Sequence, residues 1–235
     1  MSPTTRSVAQ SGVTSAVSVY MRQVYQWMTA GLALTTVVAY GVANSPAVRD
    51  AILGNSLVMI LLIVAQFGMV IALSAAIHKM SAGTATGLFL LYSALTGAML
   101  SSIFVIYPIA SIANAFLVTT GTFLAMSVYG TVTKRDLTTM GNFLFMGLIG
   151  IIIAMVVNIF LKSTMMDFII SCLGVLIFTG LTAYDTQKLS QMYSYYAGDS
   201  ELAEKASIYG ALTLYLDFIN IFLYILRMLG RRSND

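Results

Sequence analysis

Two aspartates, Asp185 and Asp217, lie within apolar stretches that are long enough to cross a membrane. A charged side chain at the centre of a bilayer costs at least about 2.5–3.5 kcal/mol. Neither carboxyl group can therefore face lipid at low cost. Each must face the interior of the protein, a water-filled cavity or a partner group, and such positions are typical of ion and proton pathways.

Helical spacing places further polar residues on the same face as each aspartate. One stripe consists of Thr213, Asp217, Asn220 and Tyr224. The other consists of Thr179, Thr182 and Asp185, continued by Lys188. The two stripes belong to consecutive helices joined by one loop, so we expect the helices to be antiparallel neighbours whose polar faces meet.

If the two carboxyl groups meet, both cannot ionise cheaply, and they would share one proton. Once deprotonated, they would offer the hard oxygen ligands that calcium prefers. Asp217 lies roughly 15 Å from the connecting loop, whereas Asp185 lies nearer to it. The pairing therefore requires the sixth helix to extend past Leu189 or the seventh to begin later. Otherwise each aspartate binds only neighbouring hydroxyl groups or a base.

The composition indicates that a membrane surrounds these residues. Of 235 residues, 58% are hydrophobic and only 9% are charged, whereas an average soluble domain is roughly a quarter charged. The apolar runs are twice as long as barrel strands and do not alternate, so they favour helices. The sequence predicts an all-α polytopic membrane protein with seven helices, at residues 21–43, 56–77, 84–107, 111–132, 143–161, 167–189 and 207–226.

The remaining segments are polar. Residues 1–20 are predicted to form a polar N-terminal tail, residues 21–229 a seven-helix membrane domain and residues 230–235 a basic C-terminal tail. The N-terminus lacks the pattern of a signal peptide, so the first helix must direct insertion. Residues 190–206 are predicted to form an aqueous loop, the longest of the chain.

The positive residues favour a cytoplasmic N-terminus. One side of a seven-helix topology would hold Arg6, Arg22, Lys79, Lys134, Arg135, Lys188 and Lys205. The other would hold Arg49, Lys162, Arg227, Arg231 and Arg232. The arginine-rich tail argues the other way, so it is either a tolerated exception or a sign that the last helix does not fully cross. The basic residues form no stripe, and nucleic-acid binding has little support.

Small residues and aromatics have simpler interpretations. Ser93, Gly97 and Ser101 on one helix, and Gly121 and Ala125 on the next, have the spacing of close helix contacts. Trp27 and Tyr25 are typical of interfacial anchors. Cys172 is alone in an apolar run, and no Cys/His spacing suggests zinc.

The regions around the two aspartates carry a family resemblance. The stretches GLTAYDTQKL at 180–189 and ALTLYLDFIN at 211–220 closely resemble the Bax inhibitor-1 family of transmembrane proteins, particularly its bacterial inner-membrane members. The stretch YSALTG at 92–97 and the start of the first helix support this resemblance. The resemblance implies seven helices with the last at the centre, and a calcium leak regulated by pH through the pair that Asp185 and Asp217 match.

The same resemblance implies a latch at the end of the second helix, where family members carry an arginine that holds one aspartate in the closed state. This sequence has Lys79 there, or less closely His78. Lysine lacks the bidentate fork of arginine, so such a latch would be weaker or absent. Without the resemblance, both residues are ordinary bases at a helix end.

Four functions are compatible with these patterns. The first is a pH-regulated calcium leak channel without enzymatic activity, with calcium as the permeant ion and no cofactor. The second is a regulator that binds a membrane protease or quality-control complex. An intramembrane aspartyl protease is disfavoured because Leu214-Tyr215-Leu216 precedes Asp217 where such enzymes have Gly-x-Gly. A proton-coupled transporter is the fourth.

Overall fold

The computed structural model describes residues 3–196 and 199–230, with side chains for 17–193, 199 and 201–230. The described residues form eight α-helices, one short 3-10 turn and no strand. The helices are α1 (Pro3–Ala43), α2 (Pro46–Leu53), α3 (Ser56–Ala75), α4 (Ala82–Ile106), α5 (Ile109–Val132), α6 (Thr138–Leu161), α7 (Thr164–Tyr196) and α8 (Ser200–Leu229). The 3-10 turn, Ile77–Lys79, follows α3. The all-α prediction is confirmed.

Six helices of the described chain are long and apolar enough to cross a membrane, and the number rises to seven if the bent pair α1 and α2 counts as one span. That pair bends by 103° where Asn44 and Ser45 separate the helices and Pro46 starts the second, a position that proline favours. The sequence predicted the end of the first helix at Ala43 but not the short helix after it.

Burial differs sharply among the spans. In the most apolar stretch of α3, and in that of α6, only 6% of the residues are buried. Side chains such as Phe67 and Phe160 are exposed. A surface of this kind is compatible with hydrocarbon and not with water. The last span, Glu201–Leu229, is 56% buried, the highest value among the candidate spans, which agrees with the central position that the resemblance implies.

The chain divides into two compact units. One contains the chain up to Ser102 together with Leu189–Leu212, and the other contains Ile103–Lys188 and the chain from Thr213 onward. Helices α7 and α8 each contribute to both units. The two aspartates belong to the second unit.

Two segments differ from the sequence prediction. Helix α1 begins at Pro3 rather than at residue 21, because after Pro3 no proline interrupts the polar segment. The aqueous loop predicted at 190–206 is largely helix, since α7 continues to Tyr196 and α8 begins at Ser200. Three of its charged residues, Glu201, Glu204 and Lys205, lie on α8, where Lys205 pairs with Glu201 across one turn at 2.8 Å. Residues 231–235 of the predicted C-terminal tail lie outside the described residues.

The first unit contains one of the predicted close helix contacts. Gly97 of α4 lies directly against the backbone of Thr35 in α1, and the Thr35 hydroxyl donates to the Ser93 carbonyl at 2.8 Å. The prediction for α5 was wrong: Gly121 and Ala125 are exposed, and no atom would lie within 4 Å of a Cβ at Gly121.

In the second unit, Gln187 of α7 fixes the connection between α5 and α6. Its side-chain oxygen accepts from the Leu137 N–H at 2.9 Å, and its amide donates to the Arg135 carbonyl at 2.8 Å. In the same loop the Thr138 hydroxyl, and then the Thr138 N–H, donate to Asp136 and hold the pKa of that carboxyl below its ordinary value. These bonds satisfy backbone groups at the start of α6.

Candidate functional site

The two aspartates that the sequence singled out lie together. The carboxyl groups of Asp185 and Asp217 lie within hydrogen-bonding reach of each other. Their exposed fractions are 7% and 4%, and both lie inside candidate spans. A carboxylate only accepts hydrogen bonds, so a bond between two carboxyl groups requires that one of them carries a proton.

The antiparallel register of α7 and α8 in the second unit explains this meeting. Seven residues before Asp185, the ring of Phe178 packs at 6.0 Å against Tyr224, which lies seven residues after Asp217. Gly174, one turn before Phe178 on α7, leaves room for the Tyr224 ring. The required extension of the sixth helix past Leu189 is also present, because α7 continues to Tyr196.

The polar residues predicted to line the site have local partners. Thr182 is buried, and its hydroxyl donates to the Phe178 carbonyl at 2.8 Å. The Asn220 amide donates to the Leu216 carbonyl at 2.8 Å, and Thr213 is half-buried. The Tyr224 hydroxyl contacts the Met155 sulfur at 3.7 Å. The hydroxyl of Thr182 and the amide of Asn220 thus bond to their own helices, which leaves lone pairs of their oxygens available.

Helix α5 covers the site from another side. Phe123 packs edge-on against Phe218, the neighbour of Asp217, with ring centroids 5.5 Å apart. Gly130 lies directly against the backbone of Ala183, two residues before Asp185. Ser127 lies between these two contacts on the same buried stripe of α5. The sequence analysis did not single out Ser127, although a serine at i+4 from a buried phenylalanine in an apolar helix was a signal.

Several buried oxygens of the second unit lack a hydrogen-bond partner among the described residues. They are Oδ2 of Asp217, the Ser127 hydroxyl oxygen and the Thr179 hydroxyl oxygen. An unpaired buried polar group costs about 1–3 kcal/mol. No cluster of three or more His, Cys, Asp or Glu side chains that could hold a metal ion exists in the described part of the chain.

Charged groups flank the pair at a distance along α7. Lys188, one turn after Asp185, attracts its carboxylate electrostatically and lies 5.6 Å from the centre of the Tyr184 ring. Asp167, near the other end of α7, pairs with Arg227 at 3.3 Å. His78 and Lys79 are exposed residues of the 3-10 turn in the first unit, and their role as a latch stays a prediction.

Six to seven apolar spans and a buried acidic pair define a polytopic α-helical membrane protein. A family model described as "Inhibitor of apoptosis-promoting Bax1" matches residues 17–234. The chain belongs to this family, the Bax inhibitor-1 family.

Relatives cover nearly the whole chain. It is 55% identical to the inner membrane protein YbhL of Escherichia coli over 219 residues, which are 93% of this chain and 94% of that protein. An uncharacterized protein of Borreliella burgdorferi is 51% identical over 92% of this chain and 93% of its own length. One from Rickettsia prowazekii is 44% identical over 92% and 90%.

Proposed function

We propose that the chain is a pH-regulated cation leak channel of the bacterial inner membrane, with calcium as the permeant ion and a cytoplasmic N-terminus. The observation that carries the proposal is the close approach of the buried Asp185 and Asp217 carboxyl groups inside the membrane-spanning part of the second unit. The inner-membrane location rests on the E. coli relative and is checked by membrane fractionation.

The chemistry of the pair suggests how protons regulate the ion. In the hydrogen-bonded state one carboxyl is protonated, and the pair carries at most one negative charge. Loss of the shared proton leaves two carboxylates side by side, whose repulsion favours either separation or the uptake of a cation. Lys188 attracts Asp185 from one turn away and would favour the separated state.

Calcium fits the deprotonated pair because it prefers oxygen ligands and normally takes six to eight of them. Two carboxylates and neutral hydroxyl oxygens provide fewer than that from the protein, so water must complete the shell. A site of this kind binds weakly, which suits an ion that has to leave again. Fully buried Leu214 and Tyr215 give the protease alternative less support, because they leave no room for a substrate backbone beside Asp217.

Calcium flux across liposomes that contain only this protein tests the proposal. We expect flux above that of protein-free liposomes, and we expect it to increase as the pH is raised and the shared proton is lost. The measurement uses a calcium-sensitive dye trapped inside, with equal pH on both sides so that no proton gradient drives transport. A flux equal to that of empty liposomes at every pH would refute the channel.

A further inference from the structure

The first unit contains a second feature that the aspartate pair does not involve. A cavity of about 850 Å³, partly open to the outside, lies between α1 and the adjacent ends of α7 and α8. Its lining residues are Val19, Tyr20, Gln23, Gln26, Trp27, Ala30, Tyr193, Ala203, Glu204 and Ser207. Because α7 and α8 have their span ends here, the cavity lies at the level where a membrane meets water.

Three aromatic rings line this cavity. Tyr20 and Tyr193 pack with ring centroids 5.3 Å apart at an angle of 35°. The Tyr20 hydroxyl donates to the Ala206 carbonyl at 3.2 Å, which fixes this ring against α8. Trp27 lies two turns along α1 from Tyr20 and is half-buried. The faces of such rings are electron-rich and attract cations, tryptophan most strongly.

The cavity also has an acidic wall. Glu204 is exposed, and no ion pair involves it within the part of the chain that the structure describes. The lysine next to it, Lys205, is engaged by Glu201 at 2.8 Å. Gln23 and Gln26 add amide oxygens on the α1 side. None of the described residues that line the cavity is a lysine, arginine or histidine, so its chemistry disfavours anions.

We propose that this cavity binds a small organic ammonium group, held by the rings of Trp27, Tyr20 and Tyr193 and by the carboxylate of Glu204. An inorganic cation would lose its water shell against the rings, whereas the methyl or methylene groups of an organic ammonium ion contact them without that cost. Two sources offer this chemistry at the membrane surface: a free amine in solution and the ammonium headgroup of a lipid.

Trp27 is the only tryptophan of the chain, so its fluorescence reports on the cavity directly. The purified full-length chain in a nonionic detergent is titrated with choline, with its uncharged isostere 3,3-dimethyl-1-butanol, and with sodium chloride. We expect a saturable change in emission with choline alone. An equal response to the isostere would overturn the proposal, because the cavity would then recognise shape and apolar surface without charge.

The carboxylate is tested with two matched variants of α8. Glu204→Gln removes the acid that lines the cavity, and we expect choline to bind about tenfold more weakly, the effect of losing about 1.4 kcal/mol. Asp199→Asn removes an exposed acid at the start of the same helix that does not line the cavity, keeps an acceptor for the backbone N–H groups there and leaves the pair of Glu201 and Lys205 intact, so we expect unchanged binding. Equal affinity of the Glu204 variant and the wild type would contradict the role of the carboxylate.

Nanodiscs distinguish the two sources of the ligand. If a lipid headgroup occupies the cavity, Trp27 in phosphatidylethanolamine nanodiscs will already show the emission of the choline-saturated state, and added choline will have no effect. In phosphatidylglycerol nanodiscs the choline titration will persist. If a free amine is the ligand, the titration will persist in both. Absence of a saturable response in detergent and in both nanodiscs would refute an ammonium site.

Discussion

Replacing Asp217 with asparagine is expected to move the pH dependence of calcium flux in liposomes to lower pH. Asparagine keeps the size of the side chain and its ability to hydrogen-bond to Asp185, but it cannot lose a proton. A single titrating group changes the population of its less common protonation state about tenfold per pH unit. The flux of a channel that depends on that state can change by a similar factor. In the variant Asp185 still titrates but has no neighbouring carboxylate to repel it, so the rise in flux is expected at lower pH than in the wild type. Asp185→Asn is expected to behave in the same way.

Asp167→Asn is the matched control for these variants. Asp167 lies on α7, as Asp185 does, but it is partly exposed and pairs with Arg227 near the other end of the helix. Exposed ion pairs contribute little, so this variant should retain the wild-type pH profile. A wild-type profile in both variants of the pair, or the same shift in the Asp167 variant, would contradict the proposed role of the two aspartates.

Substituting Gly130 with alanine is expected to destabilise the protein by about 1–3 kcal/mol. A Cβ at this position would meet the backbone of Ala183, which cannot move aside as the end of a flexible side chain can. Helix α5 would have to shift away from α7 two residues before Asp185. Thermal unfolding in detergent measures the loss, and the pH profile of flux should change with it because the site loses its support.

Gly121→Ala is the control on the same helix. The added methyl group meets open space there, and alanine favours a helix over glycine by about 1 kcal/mol. This variant should be as stable as the wild type or slightly more stable. Equal stability of the two alanine variants would show that the contact between Gly130 and Ala183 does not exist in the membrane.

The meeting of Asp185 and Asp217 was predictable from the sequence because two physical constraints agreed. The cost of a charge in lipid required an interior position for each aspartate. Helical periodicity then identified the face on which each one lies. Consecutive membrane-spanning helices run antiparallel, so the two faces had only to match in depth. The extension of α7 to Tyr196 supplied that match.

The loop at 190–206 was mispredicted because charge was taken as a sign of irregular structure. Glu201 and Lys205 have the spacing of an ion pair across one helical turn, and they form one. A helix that continues beyond the apolar core keeps its hydrogen bonds and simply exposes polar side chains. Hydropathy reports where the membrane ends and does not report where a helix ends.

Sequence periodicity did not show whether Gly121 or Gly130 of α5 contacts a neighbouring helix. Spacing identifies residues that share a face, but it does not identify the face that meets a neighbour. In α5 the buried face contains Phe123, Ser127 and Gly130, whereas Gly121 and Ala125 lie on the exposed one. Ser127 was missed for the same reason, since its importance depends on the contacts of Phe123 and Gly130 on either side.

The most direct test of the central claim is an infrared titration of the carboxyl groups in the membrane. The carbonyl stretch of a protonated carboxyl group absorbs at a frequency that differs from those of carboxylates. A change of this band in Asp185→Asn and in Asp217→Asn assigns it to the pair. If the two side chains share a proton, the wild-type band will disappear at one pH, and each single variant will titrate at a different pH because its partner charge is gone. Identical titration of the remaining aspartate with and without its partner would contradict the account.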